Sequence, residues 1–436
     1  MSAFDIFERR LGDALDDLAS PQFPDYFDDV LAVAVSRPQR PAWTFPERWL
    51  PVSAVTRPTV FTPPLPWRTI GILLALLALL VATAVTSMGL RRDDPAPPFG
   101  LAENGLIAYL ADGDIYTRDL ESGEQKLVIG GTTDDVFPLF SRDGLSLAFI
   151  RLAPEGDDTA DLMVSNADGT AVRSLLGDAV FDGLAWSPDS TEIAVIHTSP
   201  DGSRVLSLVP TDGSGATALE LPVEPAGDVL WRPPDGSELI FQARDGERRA
   251  IYGVRPDGTG FRQVSDPSTI GAFSGPYEVT ADGSEMFFTR IDTDFRPSVR
   301  VLDLETGEQR AFGEALPPPP DWDGKLALTG SPSISADGES VVFGRYWNEA
   351  NGLVNHQLWI ASVHGDGSDA VPLGPVHRSR SGHNPFYQAF APDGTAVLVH
   401  TTDTSETWIA DPTDGSVQAI DWGEVHDPPS WQRRAP

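Results

Sequence analysis

The chain has 436 residues with 31 Lys and Arg against 64 Asp and Glu, a formal charge of −33, and no cysteine. Only Lys126 and Lys325 are lysines, so the clustered cations that phosphate backbones require are missing, and nucleic acid is excluded as an expected partner. Without cysteine there are no disulfides, thiolate metal sites, cysteine nucleophiles or acylated cysteines.

Taken in chain order, residues 1–36 read as a short helical head. Phe4, Phe7, Leu11, Leu15 and Leu18 recur at helical spacing, Ser20-Pro21 ends that run, and a second helix begins near Pro24, where proline suits the first helical position. Residues 37–68 are dense in proline and arginine, with Trp43 and Trp49 between them. Such a composition breaks helix and sheet and gives an extended linker.

Residues 69–90, TIGILLALLALLVATAVTSMGL, carry no charge and match the length of roughly 20 apolar residues that spans a bilayer. The segment lies too far from Met1 for a cleaved signal peptide, so it reads as a retained single-pass anchor. Arginines accumulate on its N-terminal side, while Arg91-Arg92 are followed by Asp93-Asp94. The positive-inside rule then puts the N-terminus in the cytoplasm and the bulk of the chain outside it.

After a Pro-rich stalk over 91–104, one pattern fills residues 105–436. Its best copy, FDGLAWSPDSTEIAVI from Phe181, is two alternating apolar runs around a Ser-Pro-Asp turn, a β-hairpin with Trp186 closing the first strand. Variants begin at Phe137, Val229, Tyr277, Pro332 and Phe386, and each is followed by a second hairpin, as in LMVSNADGTAVRSLL from Leu162. A four-stranded unit recurring every roughly 40–50 residues is the mark of a β-propeller.

The ends complement each other. Gly105–Ile129 supplies three strands and lacks the leading one, whereas HDPPSWQRRAP from His426 is a leading strand with nothing after it. Joined, they make one composite blade that leaves no open edge. With six complete units between Val136 and Trp422 the expectation is an all-β, seven-bladed propeller behind a transmembrane helix and a short cytosolic head. Six and eight blades are the alternatives.

The hairpins centred on Ser187-Pro188-Asp189, Pro234-Asp235-Gly236, Ala281-Asp282-Gly283, Ala336-Asp337-Gly338 and Pro392-Asp393-Gly394 resemble the WD40-like repeats of the TolB family. That resemblance implies a periplasmic or extracellular ring used mainly for binding proteins or small ligands, and with the anchor the expected function is a scaffold at the cell envelope that binds a protein, peptide or glycan. A TolB-type ring has six blades. SRPQRPAWTFPERWL from Ser36, ahead of one span, resembles the heads of anti-sigma-type membrane regulators, which implies a cytosolic regulatory partner for residues 1–36.

Motifs for chemistry are absent: there is no G-x-S-x-G elbow, no H-E-x-x-H, no phosphate loop and no G-x-G-x-x-G. The expectation is therefore a ring that is not an enzyme, with no catalytic residue and no cofactor. The alternative is a propeller hydrolase or lyase with a channel metal held by His377, His383, Gln388 and His400, neutral imidazoles being common ligands. The Asp-Gly pairs read as turn residues rather than calcium ligands, since none offers the converging oxygens that a hard cation needs. Trp186, Trp231, Trp359, Trp408 and Trp431 read as packing between blades.

Overall fold

The computed structural model describes residues 97–435, apart from 155–157, 200, 247, 267–277, 293–295, 318–326, 349–353, 380–385, 402–405 and 422–428. The chain separates into two units, residues 1–90 and 91–436, and every described residue belongs to the second. The expected head, linker and anchor over 1–90 lie outside the described residues. Among those described, no helix is long and apolar enough to cross a membrane.

Residues 97–435 form seven antiparallel sheets of four strands each, so the six- and eight-bladed alternatives fall. In chain order the first strands of blades 2 to 7 are Asp135–Phe140, Phe181–Trp186, Glu224–Trp231, Glu278–Val279, Ala327–Ile334 and Phe386–Phe390. Blade 1 is composite. Its strand Glu103–Ala111 pairs on one side with Asp114–Arg118 and on the other with Ser430–Arg434, which sets Trp431 opposite Ile107 and Arg434 opposite Glu103. The final strand of the chain thus supplies the first strand of the first sheet.

Strand periodicity decides how the blades adhere. Successive side chains point to opposite faces of a sheet, and each face meets a different neighbour. In blade 1, Ile107 and Tyr109 enter a core with Ala391 and Leu398 of blade 7, while Ala108 and Ile115 enter one with Phe140, Leu147 and Phe149 of blade 2. The same alternation builds a core between each pair of neighbours around the ring. No blade has a core of its own, which is why the repeat must close.

In four blades the turn between the first and second strand follows one hydrogen-bonding scheme. Ser187 Oγ donates to Asp189 Oδ1 at 2.7 Å, Thr191 N donates to the same oxygen at 3.1 Å, and Glu192 N donates to Ser187 Oγ at 3.1 Å. The scheme returns at Ser141 and Asp143, Thr280 and Asp282, and Ser335 and Asp337. Hydrogen bonds from Thr280 and from Ser284 hold the Asp282 carboxyl below its ordinary value. The aspartates are occupied as turn acceptors, and Ser190 reaches the positive φ of the turn, 61°, without being glycine.

Residues 97–102, the end of the expected stalk, lie against the ring. Arg433 Nη2 donates to the carbonyls of Pro97 and Gly100 at 2.8 and 2.6 Å, and Ala102 N donates to the Pro392 carbonyl at 2.9 Å. If the terminal strand closes the ring, Trp431→Ala should cost about 3–5 kcal/mol of unfolding free energy, the usual range for emptying a large aromatic site, measured by denaturant unfolding. Removing residues 429–436 should leave Glu103–Ala111 as a bare edge and abolish cooperative unfolding.

Candidate functional site

The first strands of the seven blades surround a central cavity of about 710 Å³, to which every one of them contributes. Such a volume is in the range of small-molecule and peptide-side-chain sites. Its wall is apolar at Leu139, Leu184, Leu230 and Ile334, and its ionisable groups are few: Arg142, Asp182, Asp228, Glu278 and Arg433.

At the end bounded by the turns, Glu278 faces Arg142. Burial pushes the Glu278 carboxyl up to about 7, against the opposing pull of the Arg142 charge and a hydrogen bond with Ser333. Arg142 lies over the Phe99 ring at 5.3 Å, a cation–π contact that brings the leader onto this end of the channel. Arg433, two residues past Trp431 as Arg142 is two residues past Phe140, is brought down to about 10 by burial and by the like charge of Arg142.

Farther along the strands the first strands of blades 2, 3 and 4 each slip register, between Val136 and Leu139, Phe181 and Gly183, and Pro225 and Val229. These bulges release Phe137, Asp182 and Asp228 from regular pairing, the usual way a sheet re-aims side chains near a site. Asp182 pairs with Arg204 at 2.6 Å. Burial, then the charge of Asp182, raises the pKa of Asp228.

The candidates drawn from the sequence occupy different layers. Gln388 lines the cavity, its amide nitrogen donating to the Ser331 carbonyl. His400 is fully buried in blade 7, its Nδ1 2.9 Å from Thr407 Oγ1. His377 is on the outermost strand of blade 6, its ring 6.1 Å from Phe386, and His383 lies outside the described residues. Among the described residues no group of three or more His, Asp or Glu side chains is placed to hold a metal ion.

Trp186 and Trp231 are packing residues, as expected: both are buried, and their Nε1 atoms donate to the carbonyls of Leu139 and Ala185 in the preceding blade at 3.0 and 3.1 Å. Sequence reasoning missed the channel charges. Glu278 stands one residue before the end of its strand, among counterparts Leu139, Ala185, Leu230, Ser333 and Ala389, and an acid in that otherwise uncharged column was the available signal.

Because the folded ring favours neutral Glu278, this residue costs no stability below about pH 4.5 and a growing amount as the pH rises to about 7, beyond which the cost is constant. The thermal midpoint should therefore fall across that window. Glu278→Gln should flatten that part of the profile, measured by thermal unfolding from pH 4 to 8.

No protein-family model matches the chain, and no curated protein does. Solved structures do. The periplasmic gluconolactonase of Pseudomonas aeruginosa is similar with a TM-score of 0.51 and 18% identity, covering 76% of this chain and 99% of that one. A structure of prolyl endopeptidases is similar at 0.50 and 18%, covering 76% of this chain and 51% of that one. TolB from Acinetobacter baumannii is similar at 0.43 and 17%, covering 75% and 81%. The presence of a gluconolactonase and an endopeptidase among them corrects the expectation that the ring is not an enzyme. That expectation rested on contiguous motifs, and a channel that takes its charges singly from separate blades, as Asp182, Asp228 and Glu278 are taken here, displays none. At these identities the likeness establishes the fold: the chain carries a seven-bladed β-propeller.

Proposed function

We propose that the chain is a single-pass membrane protein whose propeller lies outside the cytoplasm and captures a protein, peptide or glycan in its central channel, with residues 1–36 offered to a cytosolic regulatory partner. The observation that carries this reading is the charge-free segment Thr69–Leu90 ahead of a ring whose seven first strands enclose one mixed polar and apolar cavity. The arginines before the segment and the acidic pair after it support the orientation.

Cysteine accessibility tests the topology cleanly, since the natural chain has none. In intact cells making the full chain, Ser214→Cys, on an exposed turn of blade 3, should react with a membrane-impermeant maleimide, and Ser2→Cys should react only after lysis. The reverse pattern, or equal labelling of both before lysis, contradicts the reading.

A further inference from the structure

The cavity carries an imbalance that the ring itself does not correct. A Cβ on Gly183 would stand 2.6 Å from the Gly227 carbonyl oxygen and 2.8 Å from Asp228 Cα, so glycine is required for the bulged strands of blades 3 and 4 to touch. That contact sets Asp182 and Asp228 beside each other. Only the first has a guanidinium beside it among the described residues: Arg204 is 2.6 Å from Asp182. Among the described residues the Asp228 carboxylate has no ion pair and no hydrogen bond, and the one charge acting on it is the repulsive one of Asp182.

The cations elsewhere in the cavity are committed. Arg433 is held by the carbonyls of Pro97 and Gly100, and Arg142 lies over Phe99 and faces Glu278. What surrounds the carboxylates is aromatic and apolar. Phe137 lines the cavity with 53% of its surface exposed and with φ at 53°, in the left-handed region, and Phe181 precedes Asp182 in the same wall. Leu139, Leu184 and Leu230 continue that wall inward.

An independent observation comes from Trp431. It lines the same cavity, is only 9% exposed, and its Nε1 has no acceptor among the described residues, although Trp186 and Trp231 at the corresponding places each donate to the preceding blade. A buried donor without an acceptor is costly to leave so, and it sits in the seam between blades 1 and 7 behind the cavity wall.

We infer that the channel binds a cationic group, a primary ammonium or a guanidinium, on Asp228 and Asp182 between the rings of Phe137 and Phe181, with its aliphatic stem along the leucine wall. The inference rests on the reading that the channel takes a ligand and names the chemistry of that ligand. A cation restores the missing counter-charge as a charge-assisted hydrogen bond in a partly desolvated site, and the ring faces add cation–π attraction. An anion would meet two carboxylates and arginines already engaged. The cation can come from a basic side chain of an extended peptide or from a free amine.

The test is titration calorimetry on the full chain in detergent micelles with Nα-acetyl-lysine amide, Nα-acetyl-arginine amide, n-butylammonium and the neutral Nα-acetyl-norleucine amide, each against the natural chain and Asp228→Asn. The lysine or arginine derivative should bind at least ten-fold tighter than the norleucine derivative. Asp228→Asn should lose that preference while its thermal midpoint is no lower than that of the natural chain, since an uncompensated charge has been removed. Butylammonium as tight as the lysine derivative supports a free amine as the source, and a tighter lysine derivative supports a peptide side chain. Equal binding of the cationic and neutral derivatives overturns the cationic class and leaves a channel ligand standing. No binding of any cationic probe, or an unchanged preference in Asp228→Asn, overturns the inference, whereas the topology proposed above fails or survives on maleimide labelling alone.

Discussion

Everything in the ring depends on the pairing of Ser430–Arg434 with Glu103–Ala111. Each blade buries its two faces against its two neighbours, so each hydrophobic core is shared and none is complete within a sheet. In such a chain the first and last blades are the weak points, because each has one face with no sequential neighbour. Using the last strand to complete the first sheet turns two exposed ends into one ordinary interface. The pair Trp431 and Ile107 then occupies in blade 1 the place that Trp186 and Ile193 hold in blade 3.

Closure also makes the channel. The first strand of every blade is bound on one side only by its own sheet, and its other edge faces the axis. That free edge tolerates register slips that an interior strand would not, and the slips at Phe137, Asp182 and Gly227 convert a uniform wall into one with a particular side chain at a particular depth. The ring's stability comes from the regular alternation of apolar residues, and its recognition capacity from the local failures of that regularity. The leader over Pro97–Gly100 joins the two, since it is held by Arg433, a residue of the closing strand, and delivers Phe99 to the channel.

The fold was legible in the sequence because its signals are local and repeated. Turn chemistry at Ser187-Pro188-Asp189 and its copies fixes where strands end, period-two alternation fixes which faces are buried, and the missing strand near Gly105 together with the surplus one at Trp431 announces closure. The site was not legible in the same way. Glu278 and Arg142 are brought together by closure of the ring across 136 positions of chain, and nothing near either residue signals the other. The bulges are hidden too: FPLF, FDGLAW and AGDVLW read as ordinary alternation with a glycine or proline, and only the paired register shows a residue displaced toward the axis. The histidines suit a metal by residue type, yet His400 is buried in blade 7 beside Thr407 of the same sheet and His377 rides an outer strand. Residue type alone does not say which layer of a propeller a side chain will enter.

The most direct measurement is a cross-link between the two ends. Glu103 and Arg434 are both exposed and stand opposite each other in the closing pair, where paired Cα atoms are about 4.5–5.5 Å apart, within reach of a disulfide. In the otherwise cysteine-free chain, Glu103→Cys with Arg434→Cys should lose both free thiols under mild oxidation of the folded protein and gain several degrees of thermal midpoint that reductant removes. Two thiols that stay free and reactive after oxidation of the native protein would mean that the terminal strand does not close the ring.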